Sequence, residues 1–461
     1  MSFRFDASEI AAAASGTVVR DAAAGEICTD TRAITPGCWF VALRGERFDA
    51  HDFLDKARDA GAGGAVVDRD VPGWDRGLVR VADTLTAIQD LGRAARARIG
   101  HPVVGLTGSA GKTTTRAFIA CALAPLGRIH QTVGNLNNHL GVPFTLLATP
   151  EDAAASVVEL GTSGPGEIAL LTEIARPDVR LIVNVGAAHL EELGGLDGVA
   201  FEKGALFRMA QPGDTVCVNA DDPRIVDVPL PAGVHVIRYG VSENADIRLV
   251  SATLDPDTLS TDAIYESSQG TVAVRIPAPG AHLAHNAAGA LAVAIALGVP
   301  LADAAAGLAR YEPVGMRLRA EPLPNGAIAL NDAYNANPTS VEASLRLLAS
   351  LPGRRAAVLG DMLELGTEEA RLHGEIAALA ADLGLDLVVL VGPRMAAAAS
   401  MCPGALVVPD IDHAPALGEN LRAWLRPGDR VLFKGSRGAR VERILQSVRG
   451  DAIEPTDGGH P

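Results

Sequence analysis

Short continuous apolar runs alternate with amphipathic stretches through most of this chain. That pattern predicts parallel strands buried on both faces and crossed over by helices. The clearest case is VVGLTG (103–108), an apolar run that enters a glycine-rich loop and then the helix-like TTTRAFIACALAPLG. The alternation recurs in SVVELG (156–161) with GEIALLTEIARP, in VRLIVNVG (179–186) with GVAFEKGALFRMA, and in DTVCVNAD (214–221). Between 234 and 276 the runs VHVIRYG, DIRLVSATL, TDAIYESS and TVAVRIPA follow one another without helices, which predicts an antiparallel appendage. Two Ala-rich helices, 282–297 and 301–310, close this unit, and Pro313-Val314-Gly315 is the candidate hinge. Beyond it AIALNDAY, AAVLGDM, DLVVLVG, ALVVPD and RVLFKGS are five strand-like runs separated by helical segments, the mark of an open α/β unit. Ahead of the first loop, EICTDTRAITPGCWFVAL and HDFLDKARDAGAGGAVVDR read as a small mixed unit ending near Gly100. The expected fold class is α/β with three domains, 1–100, 101–314 and 315–461, and the tail after Gly450 is expected to be disordered.

Composition narrows the function rather than the fold. The 461 residues suffice for about three domains, and 48% apolar against 21% charged residues is an ordinary globular balance. A formal charge of −15 argues against a nucleic-acid binder, which needs basic patches that release counterions. An anionic small substrate would need a local basic site. Cys28, Cys38, Cys121, Cys217 and Cys402 are an odd number without any C-x-x-C pair, so neither a disulfide framework nor a zinc site is indicated and a cytoplasmic location is expected. Asp6 and Glu9 stand where a signal peptide would be basic and apolar. The apolar run 287–302 is interrupted by Gly289, Gly298 and Pro300 and is too short for a membrane span.

TGSAGKTT (107–114), between a predicted strand and a predicted helix, is the strongest local signal. Glycines at 108 and 111 let backbone amides of Gly108, Ser109, Ala110 and Gly111 turn inward, the helix start adds positive potential, Lys112 reaches terminal phosphates, and Thr113 offers a hydroxyl to Mg²⁺ with Thr114 beside it. Leu106 occupies the first glycine position of the long pattern, so the match is to G-x-x-G-K-T. Glu159, at a strand end of the same sheet, suits Mg²⁺ directly or through water, the alternative being a carboxylate that caps the next loop. His189 reads as a second-metal ligand, a polar neighbour of it, or a satisfied structural histidine. Lys203 reads as a surface ion pair; addition of CO₂ would make it a carbamate anion, which no spacing rule shows. The clusters NLNNHLG and NDAYNANPTS suit nucleotide, amide or sugar recognition, or simply turns. Lys434 and Arg437 in KGSRG suit an anionic ligand at a strand end or are solvated surface charge.

With these residues assembled, the sequence resembles the Mur ligase family, ATP-dependent amide-bond-forming enzymes of peptidoglycan precursor synthesis. The likeness runs nearly end to end, through TDTRAITPGCWFVALRGERFDAHDF, TGSAGKTT, GNLNNHLGVPFTLL, VVELGTSGPGEI, NVGAAHLEELGGLDGVAFEKGALF, VNADDPR, NDAYNANPTS, VLGDMLELG and FKGSRGAR. GNLNNHLGVP, DAYNANP and LGDMLELG in combination point to the member that joins D-alanyl-D-alanine to UDP-N-acetylmuramoyl-tripeptide rather than to those adding earlier residues. The resemblance implies an N-terminal domain for the UDP-sugar, a central ATPase domain, and a C-terminal Rossmann-like domain closing over ATP. It implies that Thr31 and Arg32 meet the uridine nucleotide and that Asn135 and Asn138 lie near the sugar-peptide or the ATP phosphates. It implies a Mg²⁺ set of Thr113, Glu159, His189 and Lys203, with Lys203 at the family's carbamylated position. Asn286 matches an adenine-contacting residue, and Arg317, Asp332 and Asn335 match residues that approach ATP on closure. Lys112, His189 and Lys203 are then the catalytic candidates, and the chain is expected to be a monomer. Four positions depart from the family pattern: Ala205 for Glu, Gly289 for the second Asn of H-N-x-x-N, Ser163 for Asn, and Ala50 for Gly.

The chemistry so implied is activation of a carboxylate, which does not react with an amine at neutral pH, by transfer of the γ-phosphoryl group of ATP. The acyl phosphate is then attacked by the amine, with alignment and charge neutralisation as the main catalytic terms. The alternatives are a sister ligase adding one amino acid, a folate polyglutamylating enzyme, and a nucleotide-driven switch that hydrolyses ATP for a protein partner.

Overall fold

The structure, a computed structural model, describes residues 3–45 and 48–451, so the tail expected to be disordered lies, from residue 452 on, outside the described residues. Three sheets carry the chain. The first holds, side by side, Thr17–Arg20, Gly77–Arg80, Gly64–Val67, Trp39–Val41 and Ile27–Cys28, parallel except at the edge strand Thr17–Arg20. Trp39 packs flat over this sheet: a Cβ at Gly64 would lie 2.4 Å from its indole ring.

The second sheet has nine strands and contains the phosphate-loop strand Val103–Thr107, flanked by Ala155–Glu159 and Val179–Ile182. Pairing is parallel from Ile129–Gln131 at one edge through Thr215–Asn219 and His235–Gly240 to Ile247–Asp255. VHVIRYG, expected in the antiparallel appendage, is therefore a parallel strand. The connection from Asn219 to His235, with its short helix Pro223–Val226, is long enough for a parallel crossover. Only Ile247–Asp255, Ser260–Ser267 and Gly270–Ile276 form an antiparallel set, and it extends the sheet rather than standing apart.

All five expected strands of the last third are present, as Ile328–Asp332, Arg355–Gly360, Leu387–Val391, Leu406–Val408 and Arg430–Lys434. A sixth, Arg319–Pro322, pairs antiparallel with Ile328–Asp332. Its charged residues and Pro322 hide it from a hydrophobic pattern, and an edge is where a strand proline is tolerated.

Two helices clamp the helix that leaves the phosphate loop, Lys112–Leu123. Ala281–Ala296 is apolar around most of its circumference and is buried accordingly. No helix among the described residues is long and apolar enough to cross a membrane. Leu301–Leu308 comes closer still, since a Cβ on Gly307 would lie 2.1 Å from the Cys121 carbonyl oxygen. Gly307→Ala is accordingly expected to destabilise the protein by about 1–3 kcal/mol, the cost of overpacking a filled interior. Denaturant unfolding at constant m-value checks it.

Candidate active site

The end of Val103–Thr107 turns at Gly108 and re-enters a helix at Lys112. Gly111 caps that helix at φ 77°, a left-handed conformation suited to glycine, and a Cβ there would press to 2.7 Å from Asn286 Nδ2. The first-turn amides of Lys112, Thr113 and Thr114 have no carbonyl one turn earlier in the helix, which leaves them for an anion. Lys112 Nζ donates to the Gly108 carbonyl oxygen at 2.7 Å, folding the side chain along the loop. The loop is also braced from the neighbouring strand end. Asn184 Oδ1 accepts from the amides of Ser109 (3.1 Å) and Ala110 (2.9 Å), Asn184 Nδ2 donates to the Ala110 oxygen, and Ser109 Oγ bonds both ways with the Gly186 backbone.

Glu159 is 2% exposed, and both its oxygens are engaged. Thr113 Oγ1 and an Arg116 guanidinium nitrogen each donate to Oε2 at 3.0 Å, and Asn137 Nδ2 donates to Oε1 at 2.9 Å. The Glu159 amide donates to Thr132 Oγ1. The hydroxyl of Thr113 and this carboxylate are hard oxygen donors in mutual contact, a donor set that fits Mg²⁺, which takes few protein ligands and prefers oxygen. Burial, opposed by Glu159, holds the Arg116 guanidinium below its ordinary range, and the nearby Arg317 cation adds to the shift.

Several buried cations lie at or near the cleft. Burial lowers the Lys112 pKa, with Glu159 opposing and Arg317 contributing. Lys203, on helix Leu196–Arg208, is 1% exposed, and burial together with the Lys112 charge brings its pKa down to about 7. It is no surface ion pair. Its neighbour Glu202 accepts backbone N–H bonds from Gly166 and Ile168, both at 2.7 Å. Ala205, where the family pattern has Glu, is buried in the same helix. Gly289 has a local reason, since any Cβ there would lie 3.1 Å from both Leu181 and the Tyr239 ring.

The opposite wall comes from the last third of the chain. Asn337 caps helix Pro338–Ser350 and donates from Nδ2 to the Ser109 oxygen of the phosphate loop at 3.2 Å. Arg317 stacks on the Tyr334 ring at 4.1 Å. Lys434 Nζ donates to Asp332 Oδ2 (2.6 Å) and to the Asn335 carbonyl oxygen (3.1 Å). Asn335 Oδ1 accepts from the Ala336 amide. His189 Nδ1 lies 2.6 Å from Glu364 Oε2, and this contact holds the Glu364 carboxyl below its usual range.

A cleft of about 420 Å³ gathers these groups: Ser109 to Thr114, Asn135, Asn138, Glu159, His189, Asn286, Arg317, Asp332 and Asn335 all line it. Lys203 lies behind it. Thr31 and Arg32 are away from it, on an exposed turn where Arg32 pairs with Asp30 at 2.8 Å. Asn138 Oδ1 accepts from the Gly141 amide at 2.8 Å, the turn-forming role that remained open for this cluster. Sequence reasoning missed Asn184, Arg116 and Glu364, and reached Asn137 and Asn337 only as members of the two Asn-rich clusters. Arg116 carried a signal: two cations four residues apart on one helix repel, so something off the helix must hold the second.

A phosphate loop on one α/β unit roofed by a second such unit defines a nucleotide-dependent enzyme of the ligase type. The comparisons make the class specific. Residues 106–294 match the Mur ligase middle domain, and residues 316–437 match the Mur ligase, glutamate ligase domain. The UDP-N-acetylmuramoyl-tripeptide--D-alanyl-D-alanine ligase of Bacillus subtilis (strain 168) is 35% identical over 432 residues, 92% of either chain. The crystal structure of MurF from Acinetobacter baumannii superposes with a TM-score of 0.90 at 32% identity, covering 98% of this chain and all of that one. MurF ligase from Thermotoga maritima, solved in complex with ADP, gives 0.82 at 28% identity over 93% of this chain and 97% of that one. The chain belongs to the Mur ligase family.

Lys203 makes stability depend on pH. Its folded pKa of about 7 lies below the roughly 10.4 of an unfolded lysine, so between those values the unfolded chain binds the extra proton and stability rises with pH. In buffer depleted of CO₂, the wild-type protein is expected to gain stability over Lys203→Met from about pH 7 to pH 9. Parallel denaturation midpoints across that range would refute it.

Proposed function

We propose that this protein joins D-alanyl-D-alanine to UDP-N-acetylmuramoyl-tripeptide with ATP as co-substrate, making the pentapeptide precursor of peptidoglycan. The observation that carries this reading is the braced phosphate loop facing a buried carboxylate, in a chain alike end to end to ligases named for that reaction. The γ-phosphoryl group passes to the terminal carboxylate of the tripeptide, releasing ADP. The dipeptide amine then attacks the acyl carbon, a C–N bond forms, and the C–O bond to phosphate breaks.

The amides and side chain of Lys112 with Thr113 and Thr114 hold the phosphates, and Asn286 sits over the loop for the adenine side. Arg317, Asp332 and Asn335 approach ATP from the other wall, where Tyr334 and Lys434 hold them in place. Thr113 and Glu159, with His189, would hold Mg²⁺, which neutralises phosphate charge when bound. A carbamate on Lys203 is supported by its burial beside Lys112, which leaves much of the amine in the neutral form that adds CO₂. The exposed Arg32 and Thr31 suit the uridine nucleotide, and Asn135 and Asn138 border the cleft toward the sugar-peptide. The division 1–100, 101–314 and 315–461 follows the three sheets. Five unpaired cysteines fit the cytoplasm.

The deciding measurement is coupled phosphate release with purified UDP-muramoyl tripeptide and D-alanyl-D-alanine, omitting each in turn. Release that needs both supports the ligase, whereas hydrolysis indifferent to both supports a nucleotide switch. Lys112→Ala is expected to abolish release while the thermal transition persists, because the residue stands at the first turn of its helix with its side chain lining the cleft, where Nζ bonds the Gly108 carbonyl oxygen. Lys203→Ala is expected to lose activity and regain part of it with short-chain carboxylic acids; near-normal activity without them would remove Lys203 from the site.

A further inference from the structure

Two turns from different thirds of the chain meet beside the cleft. His189 (φ 54°) and Glu364 (φ 64°) both hold left-handed backbone, a costly conformation for a residue with a Cβ that persists only where surroundings impose it. The Leu190 amide donates to the Glu364 carbonyl oxygen at 3.1 Å. Gly366, at φ 57°, lies so near Glu191 that a Cβ would sit 3.0 Å from Glu191 Cα. The contact ends with Glu364 Oε2 at 2.6 Å from His189 Nδ1. His189 lines the cleft and Glu364 does not.

We infer that Glu364 is a positioning residue, through which the C-terminal unit fixes the imidazole of His189 in the nucleotide cleft. A carboxylate packed this close to one imidazole nitrogen restricts how the ring can turn. The backbone bond and the missing Cβ at 366 bring the carboxylate there only when the C-terminal unit is seated on the central one. Seating of that unit and readiness of His189 are therefore one event. The activity readout rests on the ligase reading above; the binding readout does not.

The test is a double-mutant cycle in the full chain: wild type, Glu364→Ala, His189→Ala and the double variant, with Glu364→Gln as the conservative partner and thermal unfolding as the control for folding. Two quantities are read, kcat and KM for phosphate release, and calorimetric affinity for a non-hydrolysable ATP analogue with Mg²⁺. Glu364→Ala is expected to lower kcat or analogue affinity by about 10–100-fold, the usual effect of removing a partner that orients a site histidine. Glu364→Gln, which keeps the side chain's shape and an oxygen beside the ring, is expected to recover most of it. In the His189→Ala background Glu364→Ala is expected to add nothing. Equal losses with and without His189, or no loss in either quantity, would overturn the inference. A wild type that releases no amine-dependent phosphate would sink the ligase reading, while the binding cycle would still decide this one.

Discussion

The nucleotide cleft depends on a loop whose shape is held by side chains from outside it. Backbone amides turned toward one point repel one another and invite water, so such a loop needs bracing from outside. Asn184 supplies it from the next strand, its carboxamide oxygen taking the Ser109 and Ala110 amides and its nitrogen returning a bond to Ala110. Ser109 is tied again to Gly186. The remaining amides, at the start of helix Lys112–Leu123, are left for a phosphate. Donors held by such bonds are already aimed before a phosphate arrives, which is where electrostatic stabilisation gains its strength.

Around the cleft, burial gathers cations in a chain of net charge −15. Lys112, Arg116, Lys203 and Arg317 lie near enough to act on one another, with the buried carboxylates Glu159 and Glu202 opposing them. Burial pushes three of these cations toward neutrality. A polyphosphate entering this region therefore meets groups poorly served by their own surroundings, and the anion relieves them as they neutralise it. Glu159 differs in being already satisfied, so a cation taking it must displace or share Thr113, Arg116 or Asn137.

Most of the architecture was legible in the sequence because buried parallel strands announce themselves as short apolar runs ending in glycine or asparagine. The two departures have physical causes. His235–Gly240 looks like the strands after it, and nothing local distinguishes a parallel neighbour from an antiparallel one once a connection is long enough for either. Arg319–Pro322 is an edge strand of charge and proline, which burial never marks. The phosphate loop was legible for its glycines, lysine and order of elements. Its braces were not: Asn184 is a lone polar residue, Asn337 reads only as part of an Asn-rich turn, and their contacts with the loop cross long stretches of chain that no spacing rule captures; the same holds for Glu364 against His189.

The antiparallel edge strand Arg319–Pro322 also fixes what Arg317 moves with. Leu318 is bonded through its amide to Asp332, and Arg319 pairs with Asn331, so the chain joins the last sheet immediately after Arg317. Arg317 is pinned once more by Tyr334. The guanidinium is thereby tied to the last sheet like a tooth to its jaw, and its depth in the cleft is set by that sheet rather than by its own flexible stem.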